Sequence, residues 1–114
     1  MAQKSGTCGK TTVTFDENCG WCCNCMPHQT CNWTVSCPDG KGGWTYTDGT
    51  GLEVHGGGHT HPTVTVAGNL EAVAAILSKT WKRPVSVPTN LPKQTIEGTI
   101  TGTHEEVAHA LGLH

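Results

Sequence analysis

The sequence lacks any hydrophobic run near the roughly 20 residues that a membrane-spanning helix needs, so no membrane span is predicted. Aromatic residues are also scarce, since one Phe and one Tyr accompany four Trp, and hydrophobic residues make up 35% of the 114 positions. Glycine, with 15 copies, adds little volume to a core. A chain of this composition buries a thin core, and we expect covalent or metal cross-links to supplement it.

A basic patch is missing as well. The formal net charge is −2, and the Lys and Arg residues are scattered except near Lys79, Lys82 and Arg83. Proteins that bind nucleic acids usually carry a clear basic surface, so we predict no nucleic-acid partner. The first ten residues are polar and lack the apolar centre of a signal peptide. This start is expected either of a cytosolic protein or of one whose signal has been removed.

Composition changes near Pro62. All seven cysteines lie at or before Cys37, and a Gly- and His-rich link covers residues 54–62. We predict an α+β fold in two parts: a cysteine-rich β region with this link over residues 1–62, and a βαββα unit over residues 63–114. The first part has a strand pattern at 11–15 and a cysteine-stapled β-hairpin at about 32–47, where alternating bulky and polar residues flank a Pro-Asp-Gly turn.

The second part shows clear helix signals. Asn69 is a favourable N-cap, and apolar residues recur at helical spacing until Pro84 ends the helix. Thr103 and Glu106 match a capping box, and Gly112 suits a C-cap. The predicted order is strand 63–67, the helix that opens at Asn69, strand 85–87, strand 95–101 and a helix that opens at Thr103.

The segment from Thr63 to Leu113 resembles the short N-terminal domains of secretins and TonB-dependent receptors, which share a βαββα order. The residues that carry the resemblance are the helix at 69–77, the Leu91-Pro92 pair, and the strand at 99–101 that leads into the helix at 104–111. The resemblance covers under half of the chain. It implies an interaction module rather than a catalyst, and it assigns no functional residue.

The cysteine pattern favours a metal site or disulfides. Cys22 forms overlapping C-x-x-C pairs with Cys19 and Cys25, and such a turn brings two thiolates to one zinc ion. Nearby Cys and His residues could complete the set, so zinc is a possible cofactor. The candidate ligands are Cys19, Cys22, Cys25, His28, Cys31 and Cys37.

Disulfides are the competing hypothesis. Seven cysteines could form three bridges and leave one free thiol, and the sequence does not indicate the pairing. A bridge that closes a loop of about 15 residues contributes roughly 3 kcal/mol, which would compensate for the thin core. Bound metal would indicate a cytoplasmic protein, and disulfides would indicate a periplasmic or secreted one.

Two groups of histidines have spacings that can be compared with those of known metal sites. His55, His59 and His61 could form a three-histidine site, but a solvated polar loop is the more favoured interpretation of this glycine-rich run. His104 and His109 lie five residues apart, whereas the metalloprotease motif needs four, so a metalloprotease is rejected.

These patterns together predict a small non-enzymatic binding or assembly module with structural cysteines and a possible protein partner. The alternative is a metal-dependent or thiol-redox enzyme that uses Cys19 and Cys22 or the histidine cluster. Thioredoxin-type chemistry would place the reactive thiolate at a helix N-terminus, and no helical pattern follows Cys22. No feature of the sequence predicts an oligomeric state.

Overall fold

The computed structural model describes residues 3–25, 31–51, 63–91 and 94–114, and every side chain within them except that of Glu97. Strands dominate the fold, and two helices follow in the second half of the chain. The elements are β1 (Gln3–Cys8), β2 (Thr11–Asp16), β3 (Gly20–Cys25), β4 (Cys31–Pro38), β5 (Trp44–Gly51), β6 (Thr63–Asn69), α1 (Leu70–Trp81), β7 (Thr95–Gly102) and α2 (His104–Leu111).

Three layers form the fold. The central layer is an antiparallel sheet with strand order β5-β4-β3-β6-β7. Helix α1 packs on β3, β4 and β6, while α2 packs on β6 and β7. The β1–β2 hairpin covers the other side of the sheet. Each side of the sheet therefore has its own hydrophobic core, which suits the α+β class that the sequence predicts.

Strand β3 lies at the centre of this arrangement, and its side chains alternate between the two cores. Trp21 and Cys23 pack with Phe15 of β2 on the hairpin side. Cys22 packs with Val66 and the helices on the other side. Alternation of this kind is inherent in a strand, whose successive side chains point to opposite faces.

Helix α1 lies very close to the sheet. Its N-cap is Asn69, as predicted, and the side chain of Asn69 accepts hydrogen bonds from the N–H groups of Glu71 and Ala72. A Cβ atom on Gly20 would lie 2.7 Å from the backbone N of Val73, so the helix can approach only because residue 20 is glycine. The Ser36 hydroxyl donates to the carbonyl of Ala72 at 2.8 Å and fixes the contact.

The predicted end groups of α2 are confirmed. The Thr103 hydroxyl accepts from the Glu106 N–H at 3.2 Å, and the Glu106 carboxylate accepts from the Thr103 N–H at 3.1 Å. Gly112 caps the C-terminus with a φ of 74°, in the left-handed region where glycine is favoured.

The predicted strand at 85–87 is wrong, and the second half has the order βαβα within the described residues. Pro84 and Pro88 flank this segment, and neither can donate a backbone hydrogen bond to a sheet. The segment pairs with the chain end instead, since the Ser86 N–H donates to the His114 carbonyl at 2.8 Å and the reverse bond measures 3.1 Å. It lies outside the sheet and beside α2.

The predicted hairpin near residues 32–47 is present as β4 and β5. Their register runs without a break from Cys31 opposite Gly51 to Pro38 opposite Trp44. Asp39 closes the turn, because its carboxylate accepts from the N–H groups of Lys41 and Gly43 at 2.7 and 3.0 Å. The pairing of β3 with β6 places strands from both predicted parts of the chain in one sheet.

Candidate functional site

Six of the seven cysteines form disulfides. The bonds join Cys8 to Cys23, Cys19 to Cys37 and Cys25 to Cys31. Cys25 and Cys31 lie directly opposite each other in the β3–β4 register, while Cys19 and Cys37 lie one position beyond the Gly20–Ser36 pair at the other end. The cysteines are therefore structural, and disulfides are the form that the structure shows.

The position of these bonds corrects the prediction of a stapled β4–β5 hairpin. Two of the disulfides tie β3 to β4, one at each end of the paired strands. The third joins β1 to β3, so it links the hairpin layer to the central sheet. The sequence did not reveal β3, because its three closely spaced cysteines and the preceding Cys19 suggested a metal-binding turn.

The predicted zinc ligands are not assembled in this form of the protein. Cys19, Cys25, Cys31 and Cys37 are all consumed by disulfides, and a disulfide sulfur is not the thiolate that zinc requires. Cys22 points to the opposite side of β3 from Cys23. Zinc binding by this ligand set is therefore not supported. His28 lies outside the described residues.

Two of the disulfides form one compact sulfur cluster. The Sγ atoms of Cys8, Cys23 and Cys31 all lie within 4.8 Å of one another. Cys25, the partner of Cys31, places its Sγ 3.7 Å from that of Cys23. Cys8, Cys23 and Cys31 are 0%, 3% and 1% exposed, whereas Cys25 is only partly buried. We call these four residues the sulfur cluster.

The sequence-based ligand set missed half of the sulfur cluster. Cys8 lies in a separate strand, β1, and Cys23 belongs to neither C-x-x-C pair. The available signal was the spacing of Cys23 and Cys25. Two cysteines at positions i and i+2 of a strand point to the same face.

Cys22 is the free cysteine, and its surroundings suppress thiol chemistry. The side chain is 1% exposed and packs under α1. Burial raises the pKa of the Cys22 thiol to about 12. The predicted thiol-redox pairing of Cys19 with Cys22 is wrong, because Cys19 is bonded to Cys37.

We expect iodoacetamide to leave Cys22 unmodified in the native protein at about pH 8. With a pKa near 12 the thiolate fraction is on the order of one in ten thousand, and the side chain is also inaccessible. In guanidinium the same thiol should react, which intact mass spectrometry detects as the addition of a single label. Rapid labelling of the native protein would contradict the described environment.

The same shift links stability to pH. The folded protein keeps the Cys22 proton at pH values where the unfolded thiol, with its ordinary pKa of 9.0, has lost it. The stabilising effect of the neutral thiol is thus complete below that pKa and declines as the pH rises towards about 12.

The histidine predictions have two outcomes. His55, His59 and His61 lie outside the described residues, so that metal site stays a prediction. His104 stacks on Trp81 with ring centres 5.7 Å apart, and burial holds the pKa of His104 below its usual value. His109 is exposed on α2.

Strand β5 forms one edge of the central sheet and is held from both sides. On the hairpin side, the Trp33 ring lies over Gly49, where a Cβ would overlap it. On the helix side, the Lys79 ammonium lies 4.6 Å from the centre of the Tyr46 ring and 3.3 Å from the carboxylate of Asp48. Asp48 also accepts from the Thr34 hydroxyl at 2.7 Å. The edge is therefore well anchored.

No protein-family model, curated protein or solved structure matches this chain. Within the described part, neither helix is long and apolar enough to cross a membrane.

Proposed function

We propose that the protein is a non-enzymatic interaction module that binds an extended segment of a partner protein along β5. The observation that carries this proposal is the contrast between the two edges of the central sheet. Disulfides supply the rigid framework, which is typical of small domains that work in an oxidising compartment such as the periplasm or the extracellular space.

The β5 edge lacks the features that normally prevent strand addition. Proteins protect such edges with proline, lysine, bulges or inward-pointing charges. Strand β5 has eight residues, contains neither proline nor lysine, and keeps an unbroken register with β4. Its one charged residue, Asp48, is paired with Lys79. No other strand in the described ranges pairs with its outer side.

The opposite edge, β7, is protected. Its register with β6 shifts between Val66 and Gly68, and Gly98 adopts a φ of 106° within the strand. Such irregularities bend an edge and interrupt its row of backbone groups. Strand addition is therefore favoured at β5.

The side chains of β5 indicate which segment would fit. Trp44 and Tyr46 lie two positions apart and share the helix side of the strand, where Tyr46 is 39% exposed. An added strand would place alternate side chains against these two rings, and aromatic rings pair well with β-branched and aromatic neighbours. The partner we propose is an extended segment with apolar residues at every second position.

The resemblance of residues 63–113 to the N-terminal domains of secretins and TonB-dependent receptors stays part of this proposal. The resemblance implies protein interaction rather than catalysis, in agreement with the function proposed for β5. It rests on apolar patterning alone.

A library of random peptides displayed on phage tests the proposal. We expect enriched peptides to alternate apolar residues, and synthetic versions should bind at least about tenfold more weakly to Thr47→Lys, as measured by calorimetry. Thr47 is exposed at the middle of β5, and a lysine there protects the edge. Thr99→Lys is the matched control, since Thr99 is exposed on β7.

Two results would overturn the proposal. Either no sequence is enriched, or the enriched peptides bind Thr47→Lys as well as they bind the original protein. A dimer that Thr47→Lys dissociates would show that β5 pairs with a second copy, and it would overturn the choice of a different protein as partner.

A further inference from the structure

The sulfur cluster has the composition of a metal site as well as of two disulfides. Zinc in a tetrahedral four-cysteine site lies about 2.3 Å from each sulfur, so the sulfurs lie about 3.8 Å apart. The Cys23 and Cys25 sulfurs are already 3.7 Å apart. Those of Cys8, Cys23 and Cys31 lie within 4.8 Å of one another.

We propose that, after reduction, the thiolates of Cys8, Cys23, Cys25 and Cys31 bind one zinc ion. Only the two bonded pairs have to separate, and small rotations of the cysteine side chains achieve this. The backbone already brings the four residues together. Cys25 and Cys31 are opposite each other in β3 and β4, Cys23 shares a face with Cys25, and β1 places Cys8 beside them.

The chemistry balances with a dithiol as reductant. Each disulfide takes two electrons and two protons from one dithiol, which becomes a disulfide itself. The four cysteine thiols then release four protons as they bind Zn²⁺, because zinc binds thiolates. Reduction would begin at the Cys25–Cys31 bond, since Cys25 is the most accessible member of the cluster.

This ligand set differs from the one that the C-x-x-C spacing predicted. Cys19 and Cys37 lie at the other end of the β3–β4 pair, and Cys25 follows Cys19 by six positions of extended chain, a distance of about 20 Å. Cys22 faces the helices. The structure thus assigns zinc to the four clustered sulfurs and leaves three cysteines out.

The test uses the full chain, reduced anaerobically with a phosphine so that no added thiol competes for the metal. Zn²⁺ is then added, and the product is treated with iodoacetamide. We expect about one zinc ion per chain by native mass spectrometry. Compared with the reduced, metal-free protein, peptide mapping should show that Zn²⁺ protects Cys25 and leaves Cys37 open to labelling, since these two cysteines are the partly buried ones. Co²⁺ in place of Zn²⁺ should give the absorption spectrum of a tetrahedral four-thiolate complex.

Matched variants separate this site from other thiols. Cys25→Ser/Cys31→Ser should weaken Zn²⁺ binding by at least about a hundredfold, since loss of a ligand exceeds the effect of losing an outer hydrogen bond. Cys19→Ser/Cys37→Ser and Cys22→Ala should retain binding. If the reduced protein takes up no metal, or if Zn²⁺ protects Cys37 and leaves Cys25 open to labelling, the inference is wrong. Labelling of the original protein tests the zinc site even where a variant does not fold.

Discussion

Replacing Cys8 and Cys23 together by alanine should lower the free energy of unfolding by about 3 kcal/mol. The bond closes a loop with a sequence separation of 15, and its loss increases the entropy of the unfolded chain. It is also the disulfide that joins the β1–β2 hairpin to the central sheet. Guanidinium unfolding monitored by tryptophan fluorescence measures the change.

The matched control is Cys25→Ala/Cys31→Ala. This bond has a sequence separation of 6 and joins two strands that also pair through their backbones, so we expect its loss to cost less. The two variants should be compared with the remaining disulfides intact. An equal or smaller cost for removing the Cys8–Cys23 bond would show that it does not hold the hairpin layer in place.

Trp21→Ala should cost about 3–5 kcal/mol of stability. Trp21 is 0% exposed and fills the space between β3 and the hairpin. A Cβ atom on Gly6 would lie 3.0 Å from its ring, and the Phe15 ring lies parallel to it at 6.4 Å between centres. An alanine would leave a cavity that two layers border, and the Cys8–Cys23 disulfide restrains these layers from closing it.

Trp33→Ala is the control for this substitution. Trp33 lies on the same side of the sheet but is only partly buried, so truncation leaves a smaller cavity. Thermal unfolding of both variants should show the larger loss for Trp21→Ala. Similar losses of stability in the two variants would mean that Trp21 is not the central residue of the core between the hairpin and the sheet.

The local signals in the sequence predicted the second half of the chain well. Asn69, the Thr103–Glu106 capping box and Gly112 all act as predicted, because each signal depends on groups within a few residues. The predicted strand at 85–87 failed because pairing is not local. Its apolar residues suit a strand, but the flanking prolines leave it outside the sheet.

The first half could be predicted only in part. Strand β2 and the β4–β5 hairpin follow from β-branched and aromatic residues. Strand β1 has little such character, and it forms because β2 and the Trp21 ring are available to it. Strand β3 was not predicted, because its cysteine spacing is also typical of a metal-binding turn. Whether a C-x-x-C segment turns around a metal or extends into a sheet depends on its neighbours in the fold.

The disulfide pairing could not be predicted from the sequence for the same reason. Cys8 reaches Cys23 only when the hairpin folds over the sheet, and Cys25 meets Cys31 only when β3 and β4 take their observed register. The disulfide hypothesis, which was one of two alternatives, allows three bonds and one free thiol, and this count agrees with the structure.

Mass mapping of the disulfides in unreduced protein tests the central claim most directly. Trypsin cuts after Lys4, Lys10 and Lys41, so Cys8 and the other six cysteines fall in separate peptides, 5–10 and 11–41. We predict that these peptides stay joined until reduction. Further cleavage within 11–41 should give Cys19 linked to Cys37 and Cys25 linked to Cys31, with Cys22 free. A released 5–10 peptide, or a bond to Cys22, would contradict the account.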